Sequence, residues 1–379
     1  MPPADADRKN RLHTHGLMPS ARNRRIRKTS SQSGKAASLR RNLLNWYEHH
    51  RRNLPWRSTR DPYKIWVSEI MLQQTRVQAV IPYYKRFLSL FPDVNALAAA
   101  DEQALLACWS GLGYYSRARN LRKAAQKIAR EYGGEFPREY AAARELPGVG
   151  DYTARAVLSI AYGIPLAVVD GNVARVLSRL YALKEDFRSG GGREKYIRLA
   201  DELLAPRRAG GFNQAMMELG ATVCLPGQPR CDECPLQRAC LAWARNAVEQ
   251  FPPPRRPAKP KLRRFLAAVI SDAAGRYLLV RRPTSAKRMA GFWELPMWEL
   301  DHPTSPPLDS HRTPRDGIVL EELLGRVRHT ITSNLLEISV HAARLERGTA
   351  LAGSRWVLPR DMDRLPVTTI TRKALACRQ

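Results

Sequence analysis

Residues 148–172 read GVGDYTARAVLSIAYGIPLAVVDGN, and this stretch decides the fold. Pro147 ends one predicted helix, Gly148 and Gly150 form a tight turn with positive φ angles, and residues 153–156 begin the next helix. Backbone amides in such a turn, beside a helix N-terminus, favour an anion such as a DNA phosphate. The stretch therefore predicts two helices joined by a phosphate-binding turn, and an ordinary helix–helix turn is the alternative.

The same stretch carries a carboxylate in an unusual place. The apolar run of residues 165–169 ends in Asp170, twenty residues beyond Gly150. A carboxylate close to apolar neighbours and to a phosphate-binding turn could act on a nucleotide. Because Gly171, Asn172 and a predicted helix follow, Asp170 could equally be an N-cap, which Asp favours for its hydrogen bonds. The local sequence leaves both interpretations open.

Length and charge narrow the class of protein. The chain has 379 residues, enough for two or three domains, and carries a formal net charge of +28 with a pI near 10.5. Such a charge indicates a polyanionic partner, most simply nucleic acid, and a solvated basic surface is the alternative. No stretch approaches 18 apolar residues, so no membrane span is predicted.

The composition shifts along the chain predict four segments. Residues 1–38 are polar and basic and are expected to form a disordered arm, and residues 39–250 are expected to form one helical domain. Residues 251–261 are rich in proline and predict a stiff linker, and residues 262–379 predict a mixed α+β domain. Periodic apolar segments predict helices at about 41–49, 65–90, 95–109, 117–131, 139–146, 153–162, 173–183, 194–204 and 212–223.

The last segment shows strand patterns. Residues 265–270 and 277–282 are apolar runs joined by a turn at residues 272–275, which predicts a β-hairpin. A further strand is expected at residues 336–340.

Four of the six cysteines fall within 17 residues, with the spacing C-x6-C-x2-C-x5-C. They are Cys224, Cys231, Cys234 and Cys240. Nothing in the chain suggests an oxidising compartment, so a disulfide framework is not expected. Four thiolates suit either tetrahedral zinc or an iron–sulfur cluster, and the spacing alone leaves both open.

Residues 63–75 are the second informative stretch and overlap the helix predicted at about 65–90. Trp66, Ile70 and Ile81 belong to an apolar stripe in which Gln73 takes an apolar position, and Glu69 shares its face. A poorly solvated Glu69 would have a raised pKa and could hold a proton for donation, whereas a surface Glu is the alternative.

Residues 111–115, GLGYY, form a second loop with flanking glycines. Its tyrosines could stack on bases or wedge between them, and a Tyr-rich core turn is the alternative.

Taken together, these motifs resemble the helix-hairpin-helix DNA glycosylases, and within them the adenine glycosylases of the MutY type. The resemblance covers roughly residues 40–250 and more loosely residues 262–379. The motifs on which the resemblance depends are SEIMLQQT, GLGYYSRARNL, LPGVG, VVDGNVARV, FNQAMMELGATVC and the cysteine spacing. It implies a mainly α helix-hairpin-helix domain with an iron–sulfur loop, followed by a smaller α+β Nudix-like domain. By this analogy the four cysteines hold a [4Fe–4S] cluster.

The resemblance also implies residue roles. Asp170 matches the catalytic aspartate and Glu69 the acid that protonates adenine, while Tyr152 and Asn172 match residues supporting the site. DNA contacts are implied for Gln73, Gln74, Tyr114, Gly148, Val149 and Gly150, and in the second domain for Thr332 and Ser333. The family's Phe-Ser-His recognition loop falls at residues 331–333, where the aromatic ring and the imidazole are both absent.

The resemblance predicts a monofunctional enzyme of base excision repair that releases adenine opposite 8-oxoguanine or guanine. Relatives that also cut the DNA backbone carry Lys where this chain has Tyr152. Residues 321–325, EELLG, are only a fragment of a Nudix metal-binding box, so nucleotide hydrolysis is not expected. We expect a monomer bound to double-stranded DNA, in the cytoplasm with the nucleoid. The rivals are an endonuclease III-like enzyme for oxidised pyrimidines and a non-catalytic DNA-binding iron–sulfur protein.

Overall fold

The structure is a computed structural model that describes residues 21–254, 259–286, 289–300, 317–331 and 333–378. Up to residue 250 the described chain is helical, and the part from residue 261 onward is built on two small sheets. The helices of the first part are α1 (Ala21–His50), α2 (Pro62–Leu72), α3 (Val77–Leu90), α4 (Val94–Ala99), α5 (Glu102–Trp109), α6 (Ser116–Glu131), α7 (Tyr140–Arg144), α8 (Asp151–Tyr162), α9 (Gly171–Tyr181), α10 (Gly190–Leu203), α11 (Ala209–Thr222) and α12 (Leu241–Ala244). In the described ranges no helix is both long and apolar enough to cross a membrane.

Two predicted helices are each divided in the structure. The segment predicted at 65–90 forms α2 and α3, because Gln73 has ψ 113° and Gln74 lies in the left-handed region with φ 57°. The segment predicted at 95–109 forms α4 and α5, because Asp101 caps α5 by accepting a hydrogen bond of 2.9 Å from the Ala104 amide. Apolar periodicity continues across both breaks and therefore hides them.

The first helix begins earlier than the sequence predicts. α1 starts at Ala21, so residues 21–38 of the predicted disordered arm are helical, whereas residues 1–20 lie outside the described part. Ala, Arg and Lys are frequent here and lose little side-chain freedom in a helix. Arg40 also joins α1 to α10, donating hydrogen bonds to the carbonyl oxygens of Glu202 (2.8 Å) and Leu203 (2.9 Å).

Two apolar clusters form the core of the helical domain. One belongs to α2–α8 and includes the fully buried Trp66, Phe87 and Trp109, and the other belongs to α1 and α9–α11 and includes Leu177 and Leu219. Helix α8 packs against α2 on one side and α11 on the other, so it joins the two clusters. Residues from both clusters line a cleft between them, and this cleft is the candidate site.

The described residues of the C-terminal domain form seven strands in two sheets. The strands are β1 (Lys261–Ile270), β2 (Tyr277–Arg281), β3 (Trp293–Glu294), β4 (Met297–Glu299), β5 (Ile318–Ile331), β6 (Asn334–Leu345) and β7 (Ser354–Val357), and α13 (Thr369–Leu375) follows them. The first sheet has the order β4-β1-β6-β5, with β1 and β6 parallel, and the second has the order β3-β2-β7. The predicted α+β class and the strand at 336–340 are therefore present, and residues 321–325 lie in β5.

The predicted hairpin of β1 and β2 is wrong. The turn is present, with the Gly275 amide donating to the Asp272 carbonyl oxygen (3.0 Å), but the two strands belong to different sheets. β4 and β6 occupy both edges of β1, and an isolated bridge from Ser271 to Tyr277 lies between the end of β1 and the start of β2. The four consecutive buried residues at the end of β1 are typical of a central strand covered on both faces.

Candidate active site and four-cysteine cavity

The turn between α7 and α8 has one left-handed glycine. Gly148 has φ 77°, and a Cβ there would lie 2.7 Å from the Asn120 Cβ, so only glycine fits. Gly150 instead has φ −86° and is the N-cap of α8, which corrects the expectation of two positive φ angles, because an N-cap residue takes the extended region. Val149 is buried, and its amide donates to the Leu146 carbonyl oxygen at 3.0 Å.

Glu69 lies on the buried side of α2, not on the surface. Its side chain is 5 % exposed, and the Tyr152 hydroxyl donates a hydrogen bond of 2.7 Å to its Oε2. Burial raises the pKa of Glu69 to about 7, and the Asp170 charge adds to this although the Tyr152 hydrogen bond opposes it. Burial and the two carboxylates raise the pKa of Tyr152, so its hydroxyl stays protonated and can donate. Glu69 can therefore hold a proton near neutral pH.

Asp170 is both an N-cap and a cleft residue. Its Oδ1 accepts from the Val173 amide at 2.7 Å, which caps α9, and its Oδ2 accepts from the Asn172 Nδ2 at 3.1 Å. Burial raises the pKa of Asp170, whereas these hydrogen bonds favour the charged form and act against the rise. Asp170 therefore caps α9 and lines the cleft at the same time.

A cleft of about 590 Å³ brings most of the predicted residues together. Its walls include Glu69, Gln73, Gln74, Tyr152, Asp170 and Asn172. They also include side chains that the sequence analysis missed, namely Arg52, Trp56, Arg57, Gln214, Met217 and Glu218. These residues come from two separate segments: Gln214, Met217 and Glu218 lie in the motif FNQAMMELGATVC, whereas Arg52, Trp56 and Arg57 lie outside the motifs named above.

Glu218 is one of these additional residues, and its carboxylate is paired with two arginines. It is fully buried and accepts hydrogen bonds from Arg52 (Nη2 to Oε2, 2.8 Å) and Arg57 (Nη2 to Oε2, 2.7 Å). Burial opposes ionisation, but the two guanidinium groups lower the pKa of Glu218 to about 2. The ion pairs hold both arginines at the wall of the cleft.

Gln74 and Tyr114 lie on two loops that one arginine connects. Arg117 Nη1 donates to the carbonyl oxygens of Ile70 (2.7 Å) and Gln73 (2.6 Å), and its guanidinium group lies 5.3 Å from the centre of the Tyr114 ring. Tyr114 has φ 48° and is 48 % exposed, so its ring is presented to solvent outside the residues that line the cleft. Gln73 itself donates from Nε2 to the Thr153 hydroxyl (3.3 Å).

The four clustered cysteines line one small cavity under α9. All six cysteines of the described chain are free of disulfides. Arg179 donates to Cys224 Sγ at 3.3 Å, and Arg175 donates to the Cys224 carbonyl oxygen (2.8 Å) and to Asn172 Oδ1 (2.9 Å). Within the described ranges no three Cys, His, Asp or Glu side chains converge closely enough for a single metal ion. The thiols therefore surround a shared space and are connected to the Asp170 end of α9.

The candidate recognition loop lies between β5 and β6. Ser333 is exposed in the turn, its carbonyl oxygen accepts from the Lys261 amide at 2.8 Å, and Asn334 is buried at the start of β6. Thr332 lies outside the described residues.

Comparison with known proteins agrees with this architecture. Residues 67–201 match the model of the HhH-GPD superfamily of base excision DNA repair proteins, and residues 266–377 match the NUDIX domain. The chain is 35% identical to the adenine DNA glycosylase of Rattus norvegicus over an alignment that covers 89% of this chain and 77% of that protein. It is 35% identical to the adenine DNA glycosylase of Homo sapiens, covering 89% and 73%.

A solved structure supports the helical fold. A thermostable thymine-DNA glycosylase is 28% identical and superposes with a TM-score of 0.53, covering 57% of this chain and 99% of that chain. The predicted fold class, a helix-hairpin-helix domain followed by a Nudix-like α+β domain, is thereby confirmed, and so is the predicted enzyme class. The chain belongs to the adenine DNA glycosylase family.

Proposed function

We propose that the protein is a monofunctional DNA glycosylase of base excision repair that hydrolyses the N-glycosidic bond of adenine paired with 8-oxoguanine or guanine. The observation that carries the proposal is that the buried Glu69 accepts a hydrogen bond from Tyr152 in the same cleft as Asp170. Membership of the adenine DNA glycosylase family supports adenine as the base. A binding protein would need neither carboxylate.

The chemistry begins with extrusion of adenine, because the glycosidic bond cannot be reached inside the base stack. Protonated Glu69 gives its proton to a ring nitrogen of adenine, which then leaves with the electron pair of the C1′–N9 bond. Ionised Asp170 stabilises the positive charge that develops on the sugar. Water adds to C1′ and loses a proton, and an abasic site remains.

Neighbouring side chains hold the two carboxylates in position. Tyr152 orients Glu69 through its hydroxyl, and Asn172 holds Asp170 through its amide. Arg52 and Gln214 line the same cleft and supply polar groups for the edge of a purine, whose donors and acceptors need partners in a closed site.

DNA binding is assigned to the basic surface, the hairpin and the two exposed loops. The amides at Gly148 and Gly150 lie beside the N-terminus of α8 and favour a phosphate. Gln74 and Tyr114, both in left-handed conformations, fill the space that extruded adenine vacates. In the second domain, exposed Ser333 and its neighbour Thr332 are assigned to the opposite base.

We also propose that Cys224, Cys231, Cys234 and Cys240 hold a [4Fe–4S] cluster. Zinc would draw four sulfurs to about 2.3 Å from one point, whereas a cubane cluster separates its thiolates around a larger body. Four unpaired thiols around a shared cavity, together with membership of the adenine DNA glycosylase family, support the cluster. Such a group supplies structural cross-linking and redox capacity.

The deciding experiment is single-turnover release of adenine from duplexes that place adenine opposite 8-oxoguanine, guanine or thymine. We expect release from the first two and none from the third. Glu69→Gln and Asp170→Asn should each slow release by about 10²–10⁴-fold. Excision of an oxidised pyrimidine without release of adenine would favour the endonuclease III-like rival. Tight binding without any excision would favour the non-catalytic one.

A further inference from the structure

Phe292 belongs to the C-terminal domain but is buried in the core of the helical domain. Its side chain is fully buried and joins the apolar cluster of α2–α8. The centre of its ring lies 4.1 Å from that of Tyr115. Tyr115 directly follows Tyr114, the exposed tyrosine assigned above to the space left by adenine.

The C-terminal domain holds the backbone of Phe292 on both sides. The Phe292 amide donates to the Met289 carbonyl oxygen (3.1 Å), and the Phe292 carbonyl oxygen accepts from the Arg282 amide (2.8 Å). The next residue, Trp293, donates to the Pro366 carbonyl oxygen at 2.9 Å. The ring therefore projects from a segment whose backbone is hydrogen-bonded within the C-terminal domain.

Two further contacts join the same parts of the domains. The Ser110 hydroxyl donates to the Val367 carbonyl oxygen at 3.2 Å, just before the loop of residues 111–115. Just after the loop, Arg119 donates to the Ala290 carbonyl oxygen and pairs with Glu102 at 2.8 Å. The C-terminal domain thus contacts the segment on both sides of Tyr114.

Tyr114 needs such support because its backbone is strained. Its φ of 48° is uncommon for a residue with a side chain, and such conformations persist when the surroundings hold them. Gly111 (φ 104°) and Gly113 (φ 72°) make the same loop intrinsically permissive. Arg117 holds the loop from the helical domain, and the Phe292–Tyr115 contact holds it from the other.

We propose that Phe292 is a positioning residue for Tyr114: through Tyr115 it holds the loop of residues 111–115 in the conformation that enters DNA. Both domains then contribute to extrusion of adenine. The C-terminal domain, which is assigned to the opposite base, also fixes the conformation of the loop of residues 111–115. The proposal rests on the function proposed above. It places Phe292 in extrusion of the base and not in breakage of the glycosidic bond.

The test uses the full-length protein and duplexes that carry 2-aminopurine beside the target adenine. The fluorescence of 2-aminopurine reports extrusion of the adenine. Phe292→Ala should slow extrusion by about 10- to 100-fold, the effect of a small misplacement of a working group. Phe292→Leu, which keeps apolar volume, should stay within about threefold of wild type. Ile338→Ala is the matched control, because Ile338 is buried in the C-terminal core away from the contact. Equal slowing by Ile338→Ala at an equal loss of Tm would overturn the proposal.

A double-mutant cycle with Tyr114→Ala separates positioning from a general loss of stability. If Phe292 acts through Tyr114, Phe292→Ala adds little to the slowing that Tyr114→Ala causes. If the fold-reductions in extrusion rate of the two single variants multiply in the double variant, Phe292 acts independently of Tyr114 and the proposal is overturned. Fluorescence reports extrusion even without cleavage, so a wild-type protein that extrudes adenine but never releases it would contradict the proposed function while leaving the role of Phe292 supported.

Discussion

Glu69 and Glu218 line one cleft but hold their protons at very different pH. Glu69 is buried with one hydroxyl donor, and its pKa rises to about 7, whereas Glu218 is buried between two arginines and its pKa falls to about 2. The difference comes from charge pairing, since both side chains are removed from water. Glu69 is thus suited to donate a proton, while Glu218 keeps a constant charge that positions Arg52 and Arg57.

The raised pKa of Glu69 predicts how activity depends on pH. The acid works only when protonated, so the single-turnover rate should fall about tenfold per pH unit above about pH 7. The rate should also fall at acid pH, where Asp170 takes up a proton, because its charged form is the one required.

Single-turnover rates of wild type and Glu69→Gln, from about pH 5 to about pH 9, measure this dependence. The variant should lose the alkaline decline together with most of the rate. An alkaline decline that persists unchanged in Glu69→Gln would assign it to another group.

The residue at position 152 predicts the absence of strand cleavage. Tyr152 offers a hydroxyl bonded to Glu69 and no amine for a Schiff base with the sugar. Borohydride should therefore trap little or no covalent adduct with DNA, and the product should remain an intact abasic strand until base is added. A strong adduct at the rate of adenine release would contradict the monofunctional assignment.

At the scale of elements, the position of Asp170 depends on a close approach of α9 and α11. A Cβ on Gly220 of α11 would lie 2.6 Å from the Asn172 Cβ and 2.9 Å from the Asn172 carbonyl oxygen. Asn172 in turn donates to Asp170. A glycine far along the chain from Asp170 therefore sets where the carboxylate lies.

Gly220→Ala should push the N-terminus of α9 away and slow adenine release by about 10- to 100-fold. Unfolding free energy should fall by about 1–3 kcal/mol, because the added methyl group overpacks the helix contact. Gly211→Ala is the matched control on the same helix, where a Cβ meets only Leu44 Cδ2 at 3.8 Å. The control should keep its rate and gain up to about 1 kcal/mol from helix propensity. Equal rates for both variants would contradict the positioning role of Gly220.

At the scale of the whole molecule, α9 connects the four-cysteine cavity to the candidate active-site cleft. Its N-terminus carries Asp170, and Arg175 and Arg179 further along hold Cys224. The region from residue 224 to residue 250 is built from short turns and the four-residue α12, so it has little regular structure of its own. The proposed cluster would supply the cross-link that keeps this region against α9.

Cys231→Ser should therefore lower the iron content, the Tm and the rate of adenine release together, while the helical circular dichroism of the remaining domain persists. Cys377→Ser is the control, because Cys377 lies in the C-terminal domain and outside the cavity. Its iron content and rate should match wild type. Full iron content in Cys231→Ser would remove Cys231 from the proposed ligand set.

Local patterns predicted most helices, one strand and several residues that line the cleft. Apolar periodicity predicts most helices, and Asp170 and Glu69 stand out as carboxylates beside apolar runs, while their roles are implied by the resemblance. The breaks after α2 and α4 escaped detection because polar residues on loops and on helix faces look alike in one dimension. The positive φ predicted for Gly150 is wrong because an N-cap position and a left-handed turn position both favour glycine in a sequence.

By itself, then, the sequence determined the class of the domains, the cysteine spacing and the positions of the two candidate carboxylates, all of which depend on motifs of residues close together in the chain. Only the tertiary structure decided that β1 and β2 separate into two sheets, that Glu218 holds Arg52 and Arg57, and that Phe292 enters the helical core. These contacts join residues far apart along the chain. Their partners are chosen by packing and charge in three dimensions, and no local spacing records that choice.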